Sequence, residues 1–216
     1  MSDSAIPPGD GTALPGDTAA IRPAGPGAVP PGDGTALPSD TAAIPPGDGT
    51  ILPSDTAAIA EQLGREPRGL RAVAHRCRCG LPDVVETAPR LPDGTPFPTL
   101  YYLTCPRAAA AIGSLEASGL MRQMTERLAD PASRLAYERA HQDYLARRDA
   151  AADETGVARL PAGTQSAGGM PERVKCLHAL VAHELAVPGS NPFGREALDA
   201  VGEWWARGPC VHPEEA

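Results

Sequence analysis

Lysine is almost absent: Lys175 is the only one, and every other basic residue is an arginine. A single retained ammonium beside a cysteine hints at a local use for that charge. Aromatic residues make up only 4% of the chain. No run approaches the roughly 18–20 consecutive apolar residues that a membrane-spanning helix needs, which argues against a helical anchor. The chain opens Met-Ser-Asp, with no basic segment leading into an apolar stretch, so no signal peptide is expected. The five cysteines are odd in number, and their spacing builds no small disulfide scaffold. Reduced thiols in a cytoplasmic protein are the expectation. There is no basic surplus either: the formal net charge is −8. Nucleic acid is therefore not an expected partner, and neither is a membrane.

The negative charge is unevenly spread. Residues 1–58 hold seven Asp and one Arg, whereas the remainder is near neutral. The same leader contains three near-copies of a 15-residue unit. They are IPPGDGTALPGDTAA (6–20), VPPGDGTALPSDTAA (29–43) and IPPGDGTILPSDTAA (44–58). Eleven Pro and nine Gly within 58 residues remove backbone donors and raise the entropy cost of ordering. A disordered leader over 1–58 is expected, serving as a spacer or protein-binding tail or as an expanded repeat without a role. A single folded domain follows over 59–212, with a short tail at 213–216. An Arg-rich stretch from Arg65 to Arg90 reads as a solvated surface.

The pattern after the leader predicts an α+β fold dominated by helix. Asp55 can cap a short helix running through Leu63, ended by Pro67. Residues 70–78, 83–88 and 99–104 read as strands of a small antiparallel meander within about 70–104. Four helices follow. The first starts at Pro106 and carries Ala108, Ile112, Leu115, Leu120 and Met124, weakened at Gly119. The second starts at Asp130-Pro131 and carries Leu135, Tyr137, His141, Tyr144 and Leu145. The third is expected from Pro171 to about Val187. The fourth follows Asn191-Pro192 and carries Leu198, Val201, Trp204 and Trp205 as far as Gly208.

Several segments then become recognisable. RCRCGLPDVVETAPRLPDGTPFPTLYYLTCP, AGGMPERVKCLHALVAHELA, NPFG and the late Trp/Pro-Cys end resemble the actinobacterial domain-of-unknown-function 501 family over about residues 59–212. The resemblance implies no activity, substrate or cofactor. Its members are typically encoded near an exopolyphosphatase and a septum-formation initiator. Family members often carry an acid after NPFG, where this chain has Arg195.

Chemistry-bearing residues gather in few places. Thiolate and imidazole are the ligands zinc prefers, and four thiolates hold an iron–sulfur cluster. The candidate metal ligands are Cys77, Cys79, Cys105, Cys176, His178 and Cys210. Cys77 and Cys79 share a face if their segment is extended. Cys176 and His178 point to opposite sides if both are helical, and Cys176 and His183 lie too far apart along a helix to share an ion. The competing reading makes these cysteines small, buried and inert. A further reading makes Cys176 a nucleophile, with Lys175, Arg173 and a helix start beside it, and His75, His141 or His212 as base. His141 and Asp143 are also weak acid/base candidates on their own helix.

The segment PAGTQSAGGMPERVK suits an anion. Gly168 and Gly169 would let backbone amides approach it, and Arg173 and Lys175 add charge near a helix N-terminus. It lacks the P-loop pattern, and a plain loop is the simpler reading. Three function classes remain: a Cys/His-rich binding domain stabilised by zinc or an iron–sulfur cluster, an enzyme or sensor for a phosphorylated or other anionic small molecule, and a protein-interaction adaptor.

Overall fold

The computed structural model describes residues 49–212. The expected leader up to residue 48 and the tail at 213–216 lie outside the described residues. The first helix, α1 (Pro53–Leu63), starts inside the third repeat. Its last six residues are therefore helical, and the fold begins before Ile59. Pro53 occupies the first turn, where a missing N–H costs nothing. The Leu52 N–H donates to the Asp55 carboxylate at 2.8 Å. That carboxylate also receives two hydrogen bonds from the Arg76 guanidinium, at 2.7 and 2.8 Å. Ala58 and Ile59 are fully buried, and Gly64, at φ 65°, ends the helix.

Three antiparallel strands form one sheet in the order β1-β2-β3. β1 spans Leu70–Arg76, β2 Pro82–Thr87 and β3 Tyr101–Leu103. Val73 faces Val85 across the first pair, and Val84 faces Leu103 across the second. β2 is central, which accounts for its burial on both faces.

The helical part departs from the expected four segments in three ways. Gly119, at φ 87°, splits the first into α2 (Pro106–Ala117) and α3 (Leu120–Glu126). An L-side chain rarely adopts that backbone, so a helix cannot run through it. A short 3₁₀ turn at Arg127–Ala129 leads into α4 (Pro131–Thr155), capped by the Asp130 carboxylate, which accepts the Ser133 N–H at 2.8 Å. α5 (Leu177–Ala186) begins six residues after Pro171. The intervening amides are taken elsewhere: the Val174 N–H donates to Thr125 Oγ1 at 3.0 Å, and the Lys175 N–H donates to the Gly168 carbonyl at 2.6 Å. α6 (Pro192–Val201) stops at Gly202, so Trp204 and Trp205 lie in a turn instead of on a helix face.

α5 is the centre of the fold. It packs on β3, α2 and α6, and Leu177, Leu180 and Val181 are fully buried. α6 crosses it closely at Gly194, where a Cβ would stand 2.2 Å from the Leu180 carbonyl oxygen. α4 supplies Tyr137, Ala140, Tyr144 and Ala151 to the same core. Leu135, on the same helix, is exposed. Among the described residues no helix is long and apolar enough to cross a membrane.

Candidate metal centre at the start of α5

Cys176 is the N-cap of α5, and its backbone is extended, at φ −150° and ψ 110°. An α-helix would send the side chains of residues 176 and 178 to opposite sides. The extended N-cap removes that divergence, and the Cys176 thiol comes within 4.8 Å of a ring nitrogen of His178. The third partner is Glu116, in the last turn of α2. Its Oε1 lies 3.0 Å from His178 Nδ1 and accepts the Leu177 N–H at 2.7 Å. One ligand atom from each of Glu116, Cys176 and His178 lies within 4.8 Å of the other two. Among the described residues this is the one group of three His, Cys, Asp or Glu side chains that converges so closely.

The surroundings fix the imidazole. His178 Nε2 faces the Ala109 carbonyl at 3.1 Å, which orients the ring and leaves Nδ1 towards Glu116. Without an ion, Cys176 and Glu116 favour the charged imidazolium and raise His178 to about 9, against the opposing effect of burial. All three residues are half-buried, so solvent reaches the group.

The glycine-containing loop builds this corner by packing. A Cβ on Gly168 would stand 2.6 Å from Leu180 Cδ2, and one on Gly169 would stand 2.7 Å from the Arg173 carbonyl oxygen. Both glycines also have positive φ. The loop is pinned from one face of α4. The Tyr137 hydroxyl donates to the Arg173 carbonyl at 3.1 Å, and His141 Nδ1 pairs with Ser166 Oγ at 2.8 Å. The buried Arg148 donates to the Thr164, Gln165 and Pro98 carbonyls. Burial and the Arg148 charge lower the His141 pKa. Lys175 and Arg173 are exposed beside the group. The carboxylate at the α5 N-terminus is Glu116, a residue of the chain itself.

The other expected ligands sit elsewhere in two pairs. Cys77 interacts with Cys79, and Cys105 with Cys210. Burial pushes the Cys77 and Cys105 thiols up to about 12, which keeps both protonated. Gln62 Nε2 donates to Cys210 Sγ at 3.2 Å. His75 Nδ1 meets the buried Asp83 at 2.6 Å. His183 is fully buried, 2.9 Å from Asp143, and packs against the rings of both Tyr101 and Tyr144. Arg195 pairs with Asp199 and lines a cleft of about 830 Å³ between α4 and the α5–α6 connection; Glu116, Cys176 and His178 are not part of its lining.

Glu116 is the member of the group that sequence reasoning missed. No local motif marks it, and it meets Cys176 only because α2 packs on α5.

Compared with known proteins, residues 73–199 match the family model described as "Protein of unknown function (DUF501)". No curated protein and no solved structure matches the chain.

Proposed function

The chain belongs to the DUF501 family, whose description names no activity, and we propose from its geometry that it is a metal-binding domain holding one zinc-type ion through Glu116, Cys176 and His178. The observation that carries the reading is the convergence of a carboxylate, a thiol and an imidazole within 4.8 Å of one another. Zinc accepts all three donor types. The Ala109 carbonyl supports it by holding the far side of the imidazole, as the outer partners of metal-ligating histidines do. Three protein ligands leave a fourth position for water or an incoming ligand. An anionic small molecule, the ligand class suggested by the exposed Arg173 and Lys175 nearby, would enter there. An iron–sulfur cluster has less support, because the described thiols are distributed over three places. The five free cysteines suit a reducing compartment such as the cytoplasm.

The test is metal content and thermal melting of untagged protein. Near-stoichiometric zinc that raises the melting temperature, and is lost in Cys176→Ala and His178→Ala, is the expected result. A folded protein that neither retains nor is stabilised by added zinc would sink the reading.

A further inference from the structure

A buried histidine–aspartate pair stands beside a small pocket at the end of β1. His75 Nδ1 meets Asp83 Oδ1 at 2.6 Å, and Asp83 has no solvent exposure. The second oxygen, Asp83 Oδ2, has no partner among the described residues. A buried carboxylate with an unpaired oxygen is costly, and such a group calls for a reason beyond packing. The contact with Asp83 holds the imidazole through Nδ1 and leaves Nε2 without a protein partner. The His75 ring lines a pocket of about 260 Å³ between β1, α5, α6 and the turn that follows α6.

The rest of the lining selects a ligand class. Trp204 and Trp205, the only tryptophans of the chain, form one wall, with ring centroids 4.5 Å apart and planes at 77°. Leu185 and Leu198 add apolar surface. Arg107 pins the tryptophan turn by donating to the Gly208 carbonyl at 2.6 Å. The exposed Arg78 guanidinium lies over the Trp205 ring, 5.0 Å from its centre, and makes no ion pair among the described residues. The Trp204 Nε1–H is buried without an acceptor. The lining carboxylate, Glu184, is already taken: its two oxygens accept the Gly189 and Asn191 N–H groups at 2.9 and 2.8 Å. Arg195 is paired with Asp199. The groups left for a ligand are therefore a guanidinium, an indole N–H and an imidazole nitrogen. Arg78 already occupies the face of Trp205 that would attract a cation. An anion finds donors here, and a flat apolar body finds the indoles.

We propose that this pocket binds a small organic anion, a carboxylate or phosphate monoester carried on a flat apolar body. Arg78 pairs with the charge, His75 donates to it from Nε2 when protonated, and the tryptophan wall packs on the body. The volume falls just below the about 300–1,000 Å³ usual for drug-sized ligands, so the occupant is on the order of one ring and its charged group. Glu116, Cys176 and His178 take no part, and the inference is independent of the zinc reading.

The experiment titrates the full-length chain with phenyl phosphate and with benzoate and follows tryptophan emission. Both tryptophans line the pocket, so the signal has no other source. Saturable binding of at least one probe is expected, unchanged by a metal chelator and in Lys175→Ala. Phenol and phenyltrimethylammonium should bind at least about 10-fold more weakly, and Arg78→Ala should lose at least about 10-fold in affinity for the anion. Arg78 is exposed, so Arg78→Ala should melt as the parent does. His75→Gln, if folded, should lose affinity too. No response to either anion overturns the inference. So does equal binding of phenyltrimethylammonium, or anion binding that survives Arg78→Ala and is lost in Lys175→Ala.

Discussion

The carboxylate of Glu116 and the imidazole of His178 meet at 3.0 Å although 62 residues separate them in the chain. The same oxygen accepts the Leu177 N–H at 2.7 Å. Glu116 therefore has two roles, as helix cap and as candidate ligand, and substitution separates them. Glu116→Gln keeps an acceptor for the Leu177 amide but removes the anionic donor. Its fold is expected to stay within about 1 kcal/mol of the parent. Its zinc affinity is expected to fall by at least about 10–100-fold. Isothermal titration with zinc, alongside urea unfolding of the metal-free protein, reads the two effects separately.

The Asp55–Arg76 pair makes the attachment of α1 acid-sensitive. Burial pushes the Asp55 carboxyl up, but the Arg76 hydrogen bonds and charge and the Leu52 amide outweigh it and hold the pKa below the ordinary 3.8. The folded value is the lower one, so the stabilisation is present above the unfolded value. It is lost as pH falls through the folded value. Asp55→Ala is expected to cost about 2 kcal/mol near neutrality, and the deficit relative to the parent should shrink at low pH. Urea unfolding at neutral and acidic pH checks the sign.

Tyr144 ties α4 to the sheet. Its hydroxyl accepts the Leu100 N–H at 2.6 Å inside the core. Tyr144→Phe keeps the ring and strands that amide, at an expected cost of about 1–3 kcal/mol. The amides of Leu100 and Tyr101 should also lose protection in hydrogen exchange. Unchanged protection at both would contradict the role.

Gly194 sets the distance between α5 and α6. A methyl group there would meet the Leu180 carbonyl at 2.2 Å, and backbone cannot yield as a flexible side chain does. Gly194→Ala is expected to destabilise by about 1–3 kcal/mol or more, whereas Gly113→Ala, which meets nothing within 4 Å, should be neutral or stabilising. Parallel melting curves of the two variants make the comparison.

Much of the fold follows from local signals. The α+β class, the meander and the starts at Pro106, Asp130-Pro131 and Asn191-Pro192 rest on proline placement, capping residues and periodicity that the chain carries openly. The start of α5 does not. Pro171 is a fair helix opener, but the amides behind it are claimed by Thr125 and Gly168, partners distant in sequence or drawn in by a glycine turn. The candidate site was half legible for the same reason. Cys176 and His178 stand out by residue type, yet their convergence depends on one extended N-cap. Glu116 depends on how α2 lies against α5. Arg148 is the opposite case: on a highly charged helix nothing marks which arginine is buried, and the answer depends on three carbonyls from two loops.

The entry to α1 has a consequence for how the leader can vary over evolution. The Leu-Pro-Ser-Asp that caps the helix belongs to the repeat unit itself, and the unit ends at Ala58, where the part of the helix outside the repeat begins. Gain or loss of whole 15-residue units by in-frame recombination would always leave a final unit abutting Ile59, with its cap and its Arg76 partner intact. Copy number is thus free to drift without touching the folded domain. An insertion between Leu52 and Ile59, by contrast, would separate the cap from the rest of the helix.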